Sequence, residues 1–136
     1  MTSAPHIWVQ TSFFPVEPGE DEQTNPGIYG RALANWLAEK LKARGEPVQK
    51  ILSEDWGWCV MLTRKPYPLW IGCSNRDGRT DEWGAFVVAE PNILQRLLGR
   101  VDPEPTVARV HKVLQEVMHK VPDATKVWIE ENIPRT

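Results

Sequence analysis

Apolar positions along this chain change their spacing several times, and each change marks a predicted element. His6-Ile7-Trp8-Val9-Gln10-Thr11-Ser12-Phe13 is rich in β-branched and aromatic residues and predicts a first strand, stopped by Pro15. Residues 15 to 27 hold three prolines, two glycines and Glu17, Glu20, Asp21 and Glu22, which predicts an exposed acidic loop too polar to pack. Tyr29, Leu33, Trp36, Leu37 and Leu41 then recur at helical spacing, with Arg31, Asn35, Glu39, Lys40 and Lys42 on the other side. This stripe predicts a helix from Pro26 to Arg44, capped by Asn25 and closed by Gly45.

A short strand is predicted from Pro47 to Leu52, another from Trp58 to Arg64, and a third from Leu69 to Cys73 after the Pro66-Tyr67-Pro68 turn. An Asp-Gly turn signal within Asn75-Arg76-Asp77-Gly78-Arg79 leads to a further strand, Trp83 to Ala89. Short connections between these strands predict an antiparallel meander. Asn92 to Leu98 reads as a short helix ended by Gly99. Asp102-Pro103 opens a longer helix, to about Lys120, whose stripe is Val107, Val110, Leu114, Val117 and Val121. Lys126 to Glu130 is a last strand.

The order β-α-β-β-β-β-α-α-β predicts one α+β domain spanning residues 1–136. Its simplest form is a two-layer sandwich, two long helices on one face of a mixed, mainly antiparallel sheet. The helices after the first strand and before the last both allow crossover connections.

At 136 residues the chain can bury one sizeable core. A net charge of −2 without a Lys/Arg run leaves no electrostatic footprint for nucleic acid. No apolar run approaches the roughly 20 residues of a membrane span. Met1-Thr2-Ser3-Ala4-Pro5-His6 lacks the basic and apolar regions of a signal peptide, so a cytoplasmic location is expected. Cys59 and Cys73 lie inside apolar strand patterns and are expected as reduced, buried thiols. A disulfide between paired strands is the competing reading. His6, His111 and His119 lack metal-ligand spacing, and no nucleophile-elbow, phosphate-loop or dinucleotide motif occurs. No metal, cofactor or catalytic residue is therefore expected.

Seven tryptophans in so short a chain are the strongest compositional signal. Trp36 lies on the apolar helix stripe and is expected in the core. Trp8, Trp70 and Trp128 sit within strands, core or half-buried, their indole N–H groups finding acceptors. Trp56, Trp58 and Trp83 instead stand at strand entrances beside Glu54, Asp55, Asp81 and Glu82. Indoles among carboxylates suit a recognition surface. Glu54, Asp55, Trp56, Trp58, Asp81, Glu82 and Trp83 are therefore the candidate partner-binding residues, gathered by the meander at one end of the sheet. Plain packing competes for Trp58, which begins a strand. A turn role competes for Asp55, and adjacency points Glu54 and Asp55 opposite ways along an extended chain.

Glu54-Asp55-Trp56-Gly57-Trp58, with Asn25-Pro26-Gly27-Ile28-Tyr29-Gly30-Arg31 before it and Leu69-Trp70-Ile71-Gly72-Cys73 after it, resembles a group of small uncharacterised bacterial proteins over residues 24 to 75. The resemblance assigns no activity to any residue. In size and composition the chain is similar to immunity proteins that neutralise a secreted toxin. The expectation is a non-enzymatic protein-binding protein meeting a basic partner through an acidic-aromatic patch. The alternative is a small-molecule-binding protein or enzyme with a tryptophan-lined cleft using Glu54, Asp55 and Asp81. A subunit of a homo-oligomer is the third reading.

Overall fold

The expected meander is the centre of the molecule. In the computed structural model, which describes residues 1–131, strands β3 (Lys50–Glu54), β4 (Gly57–Thr63), β5 (Leu69–Asn75) and β6 (Glu82–Ala89) pair in sequence order, each antiparallel to the last. The Asp77-Gly78 turn joins β5 to β6 with both residues at positive φ, 47° and 73°, and Arg79 N donates to Arg76 O. That is the primed geometry whose twist matches paired strands.

The first strand, β2 (His6–Gln10), pairs with β6, and the last, β7 (Lys126–Glu130), pairs with β2 on the outside. A further two-residue strand, β1 (Thr2–Ser3), lies against the far end of β6 and has no pattern in the sequence to announce it. The path across the sheet is β3-β4-β5-β6-β2-β7, with β1 beside β6. Every pairing among the described residues is antiparallel, so the mixed sheet expected from the two crossovers is not formed. The crossovers land away from their starting strands: three strands separate β2 from β3, and β7 joins β2 rather than β6.

Helix α1 (Arg31–Ala43) lies on β4 and β5, α3 (Glu104–Met118) lies on β6, β1 and β2, and the two helices touch. They bury the expected stripes, Leu33, Leu37 and Leu41 on α1 and Val107, Val110, Leu114 and Val117 on α3. The strand residues that meet them alternate: Ile7 and Val9, Val60 and Leu62, Ile71 and Cys73, Ala85 and Val87 all join one core. Trp36 stands at the margin of this core, half-buried against Phe14, with Lys40 over its ring. It is not the central core residue the stripe suggested. Ala34 and Ala38 are buried instead, beside Leu33, Leu37 and Leu41.

Helix α1 ends as expected. Gly45 at φ 82° lets Glu46 N reach Leu41 O and its own N reach Lys42 O, a paired closure that uses two orphan carbonyls. Its start differs. The helix begins at Arg31, with Gly30 at the cap position and no side chain to offer. The cap comes from the acidic loop: Glu20 is buried, and its Oε2 accepts from Gly30 N at 2.9 Å and Arg31 N at 3.2 Å. Residues 26 to 29, expected as the first helical turn behind an Asn25 cap, are instead held by other partners. Tyr29 N donates to Asn75 Oδ1, Asn75 Nδ2 donates to Gly27 O, and Gly27 N donates to Asp21 Oδ2. The loop expected to be merely exposed is thus tied down at Glu20 and Asp21. The short helix expected from Asn92 to Leu98 forms as α2 (Ile93–Leu97), with Asn92 serving as its cap, reciprocated by Gln95, rather than as its first residue.

Candidate partner-binding face

The second parity of the strands carries different chemistry. His6 and Trp8 on β2, Trp70 and Gly72 on β5, Gly84 and Phe86 on β6, and Trp128 on β7 point away from the helices, because their neighbours at odd-even alternation belong to the core. Trp56, on the β3–β4 turn, folds over the same face. Its ring stacks on Trp70 with centroids 5.4 Å apart and meets Phe86 at 5.7 Å. Phe86 meets His6 at 4.2 Å, and His6 stacks on Trp8 at 5.6 Å. Trp128 stands directly opposite Trp8 in the β2–β7 register. The rings form one band across the sheet.

Two glycines make the floor of that band. A Cβ on Gly72 would lie 2.4 Å from the Phe86 ring and 2.9 Å from Trp56. A Cβ on Gly84 would lie 2.6 Å from the Trp8 ring. Phe86, Trp56 and Trp8 thus rest directly on backbone, while Arg76 and Lys126 lie over the Trp8 and Trp128 rings. Trp56 is 37% exposed, and His6, Trp8, Trp70, Phe86 and Trp128 are half-buried.

Charge frames the band. Arg76 lies over Trp8, its guanidinium carbon 4.0 Å from the ring centroid. It reaches Glu82 at 2.8 Å and also pairs with Glu130, so one cation bridges two carboxylates above an indole. The Arg76 guanidinium holds the Glu130 carboxyl below its usual range. Trp70 Nε1 donates to Glu90 Oε1 at 3.1 Å, and Trp128 Nε1 donates to Glu130 Oε2 at 3.4 Å. Glu54 and Glu90 are exposed, and both raise the nearby Cys59 thiol, though burial is the larger cause and pushes it up to about 12.

The candidate residues named from the sequence divide between these two faces. As expected, the starts of β4 and β6 lie at the same end of the sheet, β5 running antiparallel between them. Trp56 is on the open face with Glu54 nearby. Trp58 and Trp83, however, are 4% and 1% exposed and belong to the helix-side core, so neither is a surface anchor. The cause is parity: Trp58 pairs with Cys73 and Trp83 with Asn75, both on the helix side, and Phe14 packs edge-on against Trp83. Glu82 is buried in its pair with Arg76, and Asp81 is held by Arg79 through two contacts of 2.9 and 3.1 Å. Asp55 lies in the β3–β4 turn and is exposed, and its backbone carbonyl accepts from Asn25 N.

Cys59 and Cys73 are free and buried, as expected. Their strands pair, yet Cys59 faces Gly72 and Cys73 faces Trp58, so the thiols lie on opposite sides of the sheet. That register forbids a bridge between them. Among the described residues no group of three or more His, Cys, Asp or Glu is placed to hold a metal, and no helix is long and apolar enough to cross a membrane.

The open band was not named from the sequence, although a signal exists. In β2 and β5 the large rings fall at one parity and the aliphatics at the other, with Gly72 two residues from Trp70; in β6 Gly84 stands two from Phe86, while Trp83 takes the core parity. A ring beside a glycine at that spacing marks a face where aromatic surface lies on bare backbone. Compared with family models, curated proteins and solved structures, the chain matches none.

Proposed function

We propose that this chain is a non-enzymatic protein-binding protein whose partner docks on the aromatic face. Behind it we read a two-layer sandwich, with α1 and α3 as the covering layer on the other side. One observation carries the reading: a chain of five touching rings, Trp56, Trp70, Phe86, His6 and Trp8, partly exposed and seated in part on glycines, is costly apolar surface unless something covers it. Tryptophan, with its large area and few rotatable bonds, is the favoured anchor of such surfaces. The exposed carboxylates Glu54, Asp55 and Glu90 around it favour a basic partner and would speed its approach. An immunity or inhibitor protein acting on a basic toxin or effector is the specific form of this reading. The surface departs from the patch expected from the sequence: Trp56, Glu54 and Asp55 remain, while Trp70, Phe86 and Trp8 replace Trp58 and Trp83.

A photocrosslinking residue at position 70, in the organism of origin, tests this, followed by reconstitution of the captured complex from purified components. Trp56→Ala or Trp70→Ala should weaken the reconstituted complex by about 2 kcal/mol or more, mainly through faster dissociation. Glu54→Lys with Glu90→Lys should slow association and flatten its salt dependence. A complex indifferent to all four changes refutes the proposal. So does saturable binding of an oligosaccharide or small metabolite that shifts the Trp56 and Trp70 indole N–H resonances.

A further inference from the structure

We infer that β7 is a self-complementary edge through which a second copy of this chain adds to the sheet, in a two-fold pairing centred on Trp128. Among the described residues β7 is the last strand on its side of the sheet. The direction of its free backbone groups follows from the register. Thr11 N donates to Asp81 O, so Ile7, Val9 and Thr11 direct their backbone groups to β6. By alternation Trp8 and its neighbours at that parity face β7, and Val127 and Ile129 are left with N–H and C=O pointing outward. Outward Val127 and Ile129 pair with Ile129 and Val127 of a second copy only if the two-fold axis passes Trp128.

The side chains select the same register. Around Trp128, Lys126 falls opposite Glu130 of the second copy, twice by symmetry, while Val127 falls opposite Ile129. A slip by two residues in either sense sets a charged residue opposite Trp128 and leaves no opposite-charge pair. A lysine on an edge strand ordinarily discourages pairing. Here its position matches a carboxylate, so it chooses the register instead. Ile129 is 45% exposed and gains cover from Val127. On the open face, Trp128 would meet its symmetry mate and join the two aromatic bands into one.

The opposite edge, β3, has the same end charges, Lys50 and Glu54. It offers Ser53 where β7 offers Ile129, and its turn is occupied by the Asn25–Asp55 hydrogen bond. β3 is therefore the control edge. The inference stands apart from the partner reading above, since an edge can pair whether or not the face binds another protein.

Sedimentation equilibrium on the full chain, from about 1 μM to about 1 mM, should show a reversible rise from 15.5 kDa to twice that mass. Ile129→Pro removes an outward donor without touching the β2 ladder, and should hold the protein monomeric with an unchanged circular-dichroism spectrum. Lys126→Glu, which leaves the Arg76–Glu130 pair in place, should weaken the dimer at least tenfold. For the register, facing residues in a non-hydrogen-bonded antiparallel pair have Cα atoms about 4.5 Å apart, within disulfide reach. Trp128→Cys should therefore yield a covalent dimer on mild oxidation, and Leu52→Cys on β3 should not. A monomer at every concentration overturns the inference. So does a dimer that Ile129→Pro leaves intact, or one that cross-links through Leu52→Cys rather than Trp128→Cys.

Discussion

Glu20 is the residue whose removal should cost most for its modest appearance. It sits in a run of acids, yet is 3% exposed, and its Oε2 accepts from the cap and first residues of α1 at 2.9 and 3.2 Å. Gly30 offers no side chain, so nothing else on the helix replaces it. Glu20→Ala strands two donors, each costing about 1–3 kcal/mol when left unsatisfied, and removes a negative charge from the positive end of the helix dipole. Allowing for water entry and loop relaxation, the net loss should be about 2–4 kcal/mol. With a urea slope of about 2 kcal/mol per M, the midpoint should fall by about 1–2 M. Glu20→Gln keeps an acceptor oxygen but not the charge, and should lose about 1 kcal/mol. Glu17, exposed and 3.8 Å from Arg31, is the internal control, and its replacement by Ala should stay within about 0.5 kcal/mol. Hydrogen exchange at Gly30 and Arg31 should accelerate in Glu20→Ala. A Glu20→Ala midpoint no lower than that of Glu17→Ala would refute the capping argument.

Two other outcomes are expected from the core. Burial pushes the Cys59 thiol up to about 12 and Cys73 higher still, so at pH 8 neither forms thiolate and native labelling should be slow, becoming fast on unfolding without reductant; rapid native labelling at either site would contradict the placement. Leu37, fully buried, should lose about 2–5 kcal/mol on replacement by Ala, and more than Trp36→Ala, which empties a half-buried site. Denaturation midpoints in the opposite order would place Trp36 back at the centre of the core.

Local signals made much of the fold legible. The stripes of α1 and α3, the Asp77-Gly78 turn, the Gly45 closure and the meander all depend on residues a few positions apart, and all form. What failed depends on distant contacts. Asn25-Pro26 has the local chemistry of a helix start, but Asn75 is 46 positions from Tyr29, and its side chain takes the backbone of the segment for a turn. Glu20 looks like its neighbours until Gly30 is brought against it. The candidate site failed by parity rather than by residue type. Aromatics beside acids were the right signal, yet a strand entrance does not say which face its indole takes. Trp58 and Trp83 went to the helices while Trp56 did not.

The separation of Trp56 from Trp58 is worth following, because residues two apart on a strand should share a face. Gly57 breaks the rule. Its φ of 153° and its contact with the Cys73 carbonyl, 2.4 Å from where a Cβ would stand, place the β3–β4 turn hard against β5. Trp56 is thereby thrown over Gly72 onto the open face, while Trp58 enters the core beside Cys73. The obstacle to a side chain at 57 is backbone, which cannot swing aside as a ring can. Gly57→Ala should therefore cost about 2–4 kcal/mol, combining strained φ with a forced shift of the turn. It should also lift Trp56 from Trp70. The stacked pair, centroids 5.4 Å apart, should give a coupled near-ultraviolet signal that Trp56→Phe removes at little cost in stability. Gly57→Ala should remove that signal and lower the urea midpoint together. Retention of both would mean the turn reaches the open face without the glycine. Loss of stability with the signal intact would mean that Gly57 serves the hairpin alone, and that Trp56 is held in place by Gly72 and Phe86.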